Sequence, residues 1–122
     1  MAKSYKPTRK DFEKFKAEFM RCADLLNLGD WLINILFEPL NDRFAEIEDQ
    51  PADFLATVVF NSKVISKDNV AGYDPKRTAR HEATHLFHAR LEYIGRCRYV
   101  RPDDFAEESE RLCRVMEKLL EP

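Results

Sequence analysis

The chain has 122 residues, of which 44% are hydrophobic and 34% are charged, and its formal net charge is −2. This composition is typical of a soluble globular protein with a single modest core, so we expect one domain over residues 1–122. The small net charge gives no electrostatic argument for binding nucleic acid or an anionic membrane, and we expect neither partner. No apolar run reaches the length that spans a bilayer, and the N-terminal stretch MAKSYKPTRKDFEKF lacks the apolar core of a signal peptide. We therefore expect a cytoplasmic protein.

The first predicted element is a helix over residues 8–28. Thr8 and Asp11 resemble a capping pair at its start, and Gly29 fits its end. Its apolar residues recur at helical spacing, with lysines and acids on the other side: Phe12, Phe15, Phe19, Cys22 and Leu26. Such an aromatic stripe indicates a core face that covers one side of a sheet.

Three β-prone segments follow this helix. Residues 31–40 alternate in side-chain character, and residues 54–60 form a strongly β-prone run. Residues 43–49 are shorter and more charged, which makes them a candidate edge strand. We expect residues 66–74 to form a polar loop.

The three cysteines of the chain are widely spaced and form no C-x-x-C pair. This spacing favours neither a zinc ribbon nor a redox motif. We expect reduced thiols that serve as small apolar residues.

The segment from Pro75 to Gly95 is predicted to be the central helix. Asp74 can cap its N-terminus, Pro75 suits the first helical position, and Gly95 can end it. This helix carries the sequence HEATH at residues 81–85, which is an H-E-x-x-H pattern.

The chemistry of this pattern follows from the helical repeat. His81 and His85 project from one face about one turn apart, so both imidazoles can bind one zinc ion, with Glu82 beside them to activate a metal-bound water. His88 comes seven residues after His81, a rise of about 10.5 Å, so we expect a packed or supporting histidine there rather than a ligand. The alternative is a surface helix with incidental histidines.

A last helix is expected to begin at Pro102, and it offers the third protein ligand that a catalytic zinc site requires. Its apolar residues share one face: Phe105, Leu112, Val115 and Leu119. Glu108 falls on that face, where a carboxylate is costly unless it is paired or bound to a metal, so Glu108 is predicted as the third ligand. Two alternatives stay open, namely Glu107 as the ligand and a buried ion pair of Glu108 with an arginine such as Arg80 or Arg90.

The motif at residues 81–85, followed by a glutamate from a later helix, resembles the gluzincin branch of the zincin metallopeptidases. The short chain, the sequences HEATHLF and RCRYV and the acidic closing helix are similar to small H-E-x-x-H proteins commonly encoded by phages and prophages. No N-E-x-x-S-D-like second motif accompanies Glu107 or Glu108. The predicted elements follow one another as α-β-β-β-α-α, which indicates a small α+β domain. The resemblance covers residues 31–120 and implies that this domain is zincin-like. It also implies a three-stranded mixed sheet under the active-site helix, and zinc held by the two histidines and a closing-helix glutamate.

The resemblance further implies zinc-dependent hydrolysis of a peptide or protein substrate, related to phages or prophages. Glu82 would take a proton from the zinc-activated water and pass it to the leaving amine, with the substrate extended beside an edge strand. Tyr93 or Tyr99 could bond the oxyanion, although packing is the more usual role of such tyrosines. One alternative is a non-catalytic zinc-containing binding or regulatory module. Another is a DNA-associated peptidase, suggested by the basic connector at residues 96–101, although such a short charged stretch is usually a solvated connector.

Overall fold

The computed structural model describes residues 5–41, 43–65, 73–97 and 99–120. Within these residues, three helices and three strands follow one another as α-β-β-β-α-α, which confirms the expected small α+β domain. The bounds are α1 Arg9–Leu25, β1 Leu32–Glu38, β2 Ala45–Gln50, β3 Leu55–Asn61, α2 Pro75–Arg96 and α3 Pro102–Leu120. Each strand differs from its predicted range by one or two residues at either end. Most of the loop expected over residues 66–74 lies outside the described residues.

The sheet is mixed, with β3 in the middle, β1 on one side and β2 on the other. β1 pairs with β3 in parallel and places Leu32 opposite Leu55. β2 pairs with β3 antiparallel and places Ala45 opposite Phe60. Among the described residues, only β3 pairs with β2, so the charged segment that was predicted as an edge strand is one in this sheet.

The core lies between one face of the sheet and the helices α1 and α2, which also pack against each other. From the central strand, Val58 and Phe60 are fully buried, and the ring of Phe15 stacks on that of Phe60 with 4.7 Å between centroids. α2 contributes small side chains, of which Ala79 and Ala83 are fully buried. The aromatic stripe of α1 thus forms the core face that the sequence predicts.

The helix starts agree with the sequence prediction, but two helix ends do not. Thr8 and Asp11 form a complete capping box at the start of α1. α1 ends at Leu25, and the left-handed conformation that follows it is adopted by Asn27, at a φ of 55°, rather than by Gly29. Asparagine tolerates this region better than most residues because its short polar side chain can bond locally. Gly95 likewise does not end α2, which continues through Arg96.

α3 begins at Pro102 as predicted and lies against parts of α1 and α2. Its apolar stripe is only partly covered, since Val115 is fully buried whereas Phe105 and Leu119 are 47% and 43% exposed. Lys118 ties α3 to the end of α1 through a hydrogen bond from its Nζ to the carbonyl oxygen of Asp24, at 2.9 Å. Among the described residues, no helix has the length and apolar character needed to cross a membrane.

Candidate metal centre

The local sequence of α2 explains why the motif is presented to solvent. Asp74 caps the helix by accepting a hydrogen bond from the backbone N–H of Lys76 at 3.1 Å, and Pro75 occupies the first turn. The buried side of α2 is rich in alanine and includes Ala83, inside the motif. The motif is therefore anchored to the core at its centre, while both of its histidines are exposed.

His81 and His85 face each other across one helical turn. Their Nε2 atoms are 3.1 Å apart and their ring centroids are 4.6 Å apart. Zinc–nitrogen distances of about 2.0–2.1 Å at a tetrahedral angle would place two ligand nitrogens about 3.3–3.4 Å apart. The observed separation is close to this value, so the two imidazoles fit a shared ion when both Nε2 atoms are unprotonated.

Glu82 lies between the exposed and buried sides of α2 and is half-buried. Burial raises the pKa of this carboxyl above its usual range, against the opposing positive charges of His85, His81 and Arg43. Glu46 adds to the rise because it is a second negative charge nearby. A carboxylate in such an environment is a competent proton acceptor and donor closer to neutral pH than an exposed one.

The edge strand β2 runs beside the histidine side of α2. At its start, Arg43 and Glu46 lie 3.8 Å apart and both influence the pKa of Glu82. Towards its end, partial desolvation raises the pKa of Asp49, and the charge of Glu92 on α2 raises it further. Because positions 82 and 92 are nearly three turns apart, β2 follows α2 from the motif towards the C-terminal end of the helix.

Glu108 is buried, as its place on the apolar stripe of α3 predicts, with 4% of its surface exposed. Its carboxylate accepts a hydrogen bond from Nη1 of Arg111 at 3.0 Å. It lines a groove together with Arg90, which lies nine residues after His81 and therefore about 180° from it around α2. In the described part of the chain, no three or more His, Cys, Asp or Glu side chains are grouped so that they could hold a metal. The structure brings the motif residues together but gives Glu108 a different partner.

Of the other residues considered for the site, His88 follows His85 by three residues on α2. It is exposed, with its ring 5.3 Å from that of Phe87, so the packed position expected for it is wrong, while a supporting role stays a prediction. Tyr93 and Tyr99 line the groove that contains Glu108. The basic connector includes Arg98, which falls outside the described residues.

A carboxylate of α1 that the sequence analysis did not identify forms an ion pair with α2, the helix that carries the motif. Glu18 of α1 accepts hydrogen bonds from Arg21 at 2.7 Å and from Arg80, next to the motif, at 2.9 Å. These bonds, with that from Arg21 the stronger influence, hold the pKa of Glu18 at about 2. Glu18 borders the aromatic stripe of α1, and a carboxylate next to such a stripe is a signal that it has a buried partner.

Comparison of the chain with protein-family models, with curated proteins and with solved structures found no match. The similarity to zincin metallopeptidases therefore remains a resemblance that depends on the motif and its helical context.

Proposed function

We propose that the chain binds a zinc ion through His81 and His85 and uses Glu82 to hydrolyse peptide bonds in a peptide or protein substrate. The observation that carries this proposal is the 3.1 Å separation of the two Nε2 atoms. Incidental histidines on a solvated helix would be free to point apart into water. Here both rings turn towards the same space, with a half-buried carboxylate on the adjacent residue.

The surroundings of the motif support a hydrolytic role. When bound, the ion would supply Lewis-acid polarisation of a water molecule and of the scissile carbonyl. Glu82, one residue from His81, would accept a proton from the attacking water and deliver it to the leaving amine. β2 has one edge that β3 does not cover, and its backbone groups could bind an extended substrate by strand addition.

Among the described residues, the structure places no third protein ligand beside the two histidines. The sequence pattern predicts Glu108 as this ligand, with the exposed Glu107 as the next candidate. Glu108 would have to leave Arg111 and reach the opposite side of α2 to bind the same ion as the histidines. Because catalytic zinc sites normally have three protein ligands, this observation keeps a non-catalytic zinc-containing module as the second candidate function.

Metal analysis of the purified protein tests the zinc site. We expect about one zinc ion per chain, and its loss in His81→Ala and in His85→Ala, because one imidazole is too few ligands to retain the ion. His88→Ala is a matched control, since His88 is an exposed histidine of the same helix and should leave the zinc content unchanged. Equal metal content in all four proteins, or none in the wild type, would refute the site.

Glu82→Gln separates the enzyme from the module. Glutamine keeps the shape of the side chain but cannot take up the proton, so we expect cleavage of fluorescently labelled casein to fall about 10²–10⁴-fold while zinc is retained. A wild-type protein that binds zinc and leaves casein and unfolded peptides intact would support the module. Undiminished cleavage by the variant would contradict the role given to Glu82.

A further inference from the structure

A second concave site lies on the side of α2 opposite the histidine pair. It has a volume of about 940 Å³ and is enclosed by the end of α1, the start of β1, the second half of α2, and α3. We call it the Trp31 groove, and its principal lining residues are Leu28, Trp31, Phe54, Arg90, Glu108 and Arg111. This volume falls within the range of about 300–1,000 Å³ that is typical of small-molecule sites.

Two residues that line this groove each carry a buried hydrogen-bond donor that has no acceptor among the described residues. One is the indole Nε1–H of Trp31, whose residue is only 5% exposed. The other is Nη2 of Arg111, whose Nη1 already bonds Glu108 at 3.0 Å. Leaving buried donors unpaired is costly, so a ligand acceptor that reaches either donor from the groove would be favoured.

The rest of the lining narrows the chemistry of that ligand. The ring of Phe54 lies edge-on to Trp31 and under the guanidinium of Arg90, which is 4.7 Å from its centroid, so the wall is aromatic and cationic. The negative charge of Glu108 is offset by Arg111. The rim also carries the acids Asp24, Asp30, Asp104 and Glu107 and the exposed Arg114. These acids repel a dianion such as phosphate more strongly than a single carboxylate, and a carboxylate on an apolar body suits both the donors and the wall.

We infer that the Trp31 groove binds an apolar monocarboxylate, whose oxygens accept hydrogen bonds from Trp31 Nε1 and from the unpaired arm of Arg111. A small free acid and the C-terminal carboxylate of a peptide share this chemistry. The inference does not depend on the zinc site, because it uses no atom of the motif and lies across α2 from it.

The single tryptophan of the chain provides a direct reporter, because its indole N–H gives one isolated cross-peak in a ¹⁵N–¹H spectrum. The probes are N-acetyl-phenylalanine, its amide, and N-acetyl-Ala-Ala-Phe with a free C-terminus. We expect a saturable shift of the indole peak with N-acetyl-phenylalanine or the peptide, and at least about tenfold weaker binding of the amide, which lacks the charge. Binding of the peptide but not of the amino acid would identify a chain end as the ligand.

Two variants test the donors in the full-length chain. Arg111→Lys keeps a cation for Glu108 but removes the second arm, and Trp31→Phe keeps a ring but removes the N–H. We expect each to weaken binding of the acid at least about fivefold, measured by ligand-observed NMR on protein shown to be folded by circular dichroism. Arg77→Lys, at an exposed position of α2 outside the groove, is the matched control and should bind as the wild type does. Equal affinity for acid and amide, unchanged binding by both donor variants, or no saturable shift up to about 10 mM would each overturn the inference.

Discussion

Asn61 shows how one buried amide can determine where the edge strand lies. It is 2% exposed, and its Oδ1 accepts hydrogen bonds from the backbone N–H groups of Leu40, at 2.9 Å, and Lys63, at 2.8 Å. Its Nδ2 donates to the carbonyl oxygen of Arg43 at 2.8 Å. One side chain therefore joins the segments that follow β1, precede β2 and follow β3. It also holds Arg43 at the start of β2, next to Glu82.

Asn61→Ala should lower the free energy of unfolding by about 2–3 kcal/mol, because it leaves three buried or partly buried backbone groups without their partner. Urea denaturation followed by circular dichroism measures this loss. Asn41→Ala is the control, since the side-chain oxygen of Asn41 accepts only an exposed bond from Nζ of Lys63, at 2.8 Å, and should cost less than about 0.5 kcal/mol. Equal losses in the two variants would show that the buried network is not what stabilises this corner.

At the scale of elements, the sequence predicts what local periodicity can encode. The helical repeat alone brings His81 and His85 to one face, and alternation with β-prone residues is enough to locate all three strands. Helix ends are less well predicted, because Gly29 and Gly95 are typical stops, yet neither takes a left-handed conformation here. Asn27 takes that conformation instead, and the choice depends on how the chain must turn to enter β1.

Periodicity places Arg111 beside Glu108, three residues later on the same helix, but it does not show which side of α2 Glu108 faces. The apolar stripe of α3 correctly predicts that Glu108 is buried, but which side of α2 it meets depends on how α3 crosses that helix. No local pattern in the sequence specifies this crossing. The same applies to Arg43 and Glu46, which come close to Glu82 only through the pairing of β2 with β3.

Glu108→Gln tests whether α3 supplies a ligand or only an ion pair. We expect the melting temperature to fall, with a stability loss of about 1–3 kcal/mol, because the partly buried guanidinium of Arg111 loses its counter-charge. We expect zinc affinity, measured by competition with a chelating dye, to match the wild type, since Glu108 lies across α2 from the histidines. Glu107→Gln, at the exposed neighbouring position, should change neither quantity. A tenfold or greater fall in zinc affinity in the Glu108 variant alone would show that Glu108 is a zinc ligand after all.

At the scale of the whole molecule, the contact between α1 and α2 connects the core to the motif. The fully buried Ala79 and Ala83 let the two helices approach closely. At the border of this contact, the carboxylate of Glu18 forms ion pairs with Arg80 of α2 and with Arg21 of α1. Since Arg80 immediately precedes His81, the ion pair adds to the buried contacts of Ala79 and Ala83 that orient α2 next to the motif.

This ion pair should make global stability sensitive to acid. The pKa of Glu18 is about 2 in the folded chain against an ordinary value of 4.5, so its contribution is complete above about pH 5 and is lost as the pH falls from 4.5 towards 2. Both arginines are about half exposed, so we expect water to limit the contribution at neutral pH to about 1–2 kcal/mol.

Glu18→Gln therefore should be less stable than the wild type at pH 7, and the gap should close between pH 4.5 and pH 2, as measured by urea denaturation at several pH values. Other acidic groups titrate in both proteins, so the difference between the two curves isolates Glu18. Glu13→Gln is the matched control, because Glu13 makes only an exposed pair with Arg9, at 3.5 Å, and should track the wild type within about 0.5 kcal/mol throughout. A gap between Glu18→Gln and wild type that stays constant from pH 7 to pH 2 would show that the stability difference does not come from the charge of Glu18, and would contradict the role given to the ion pair.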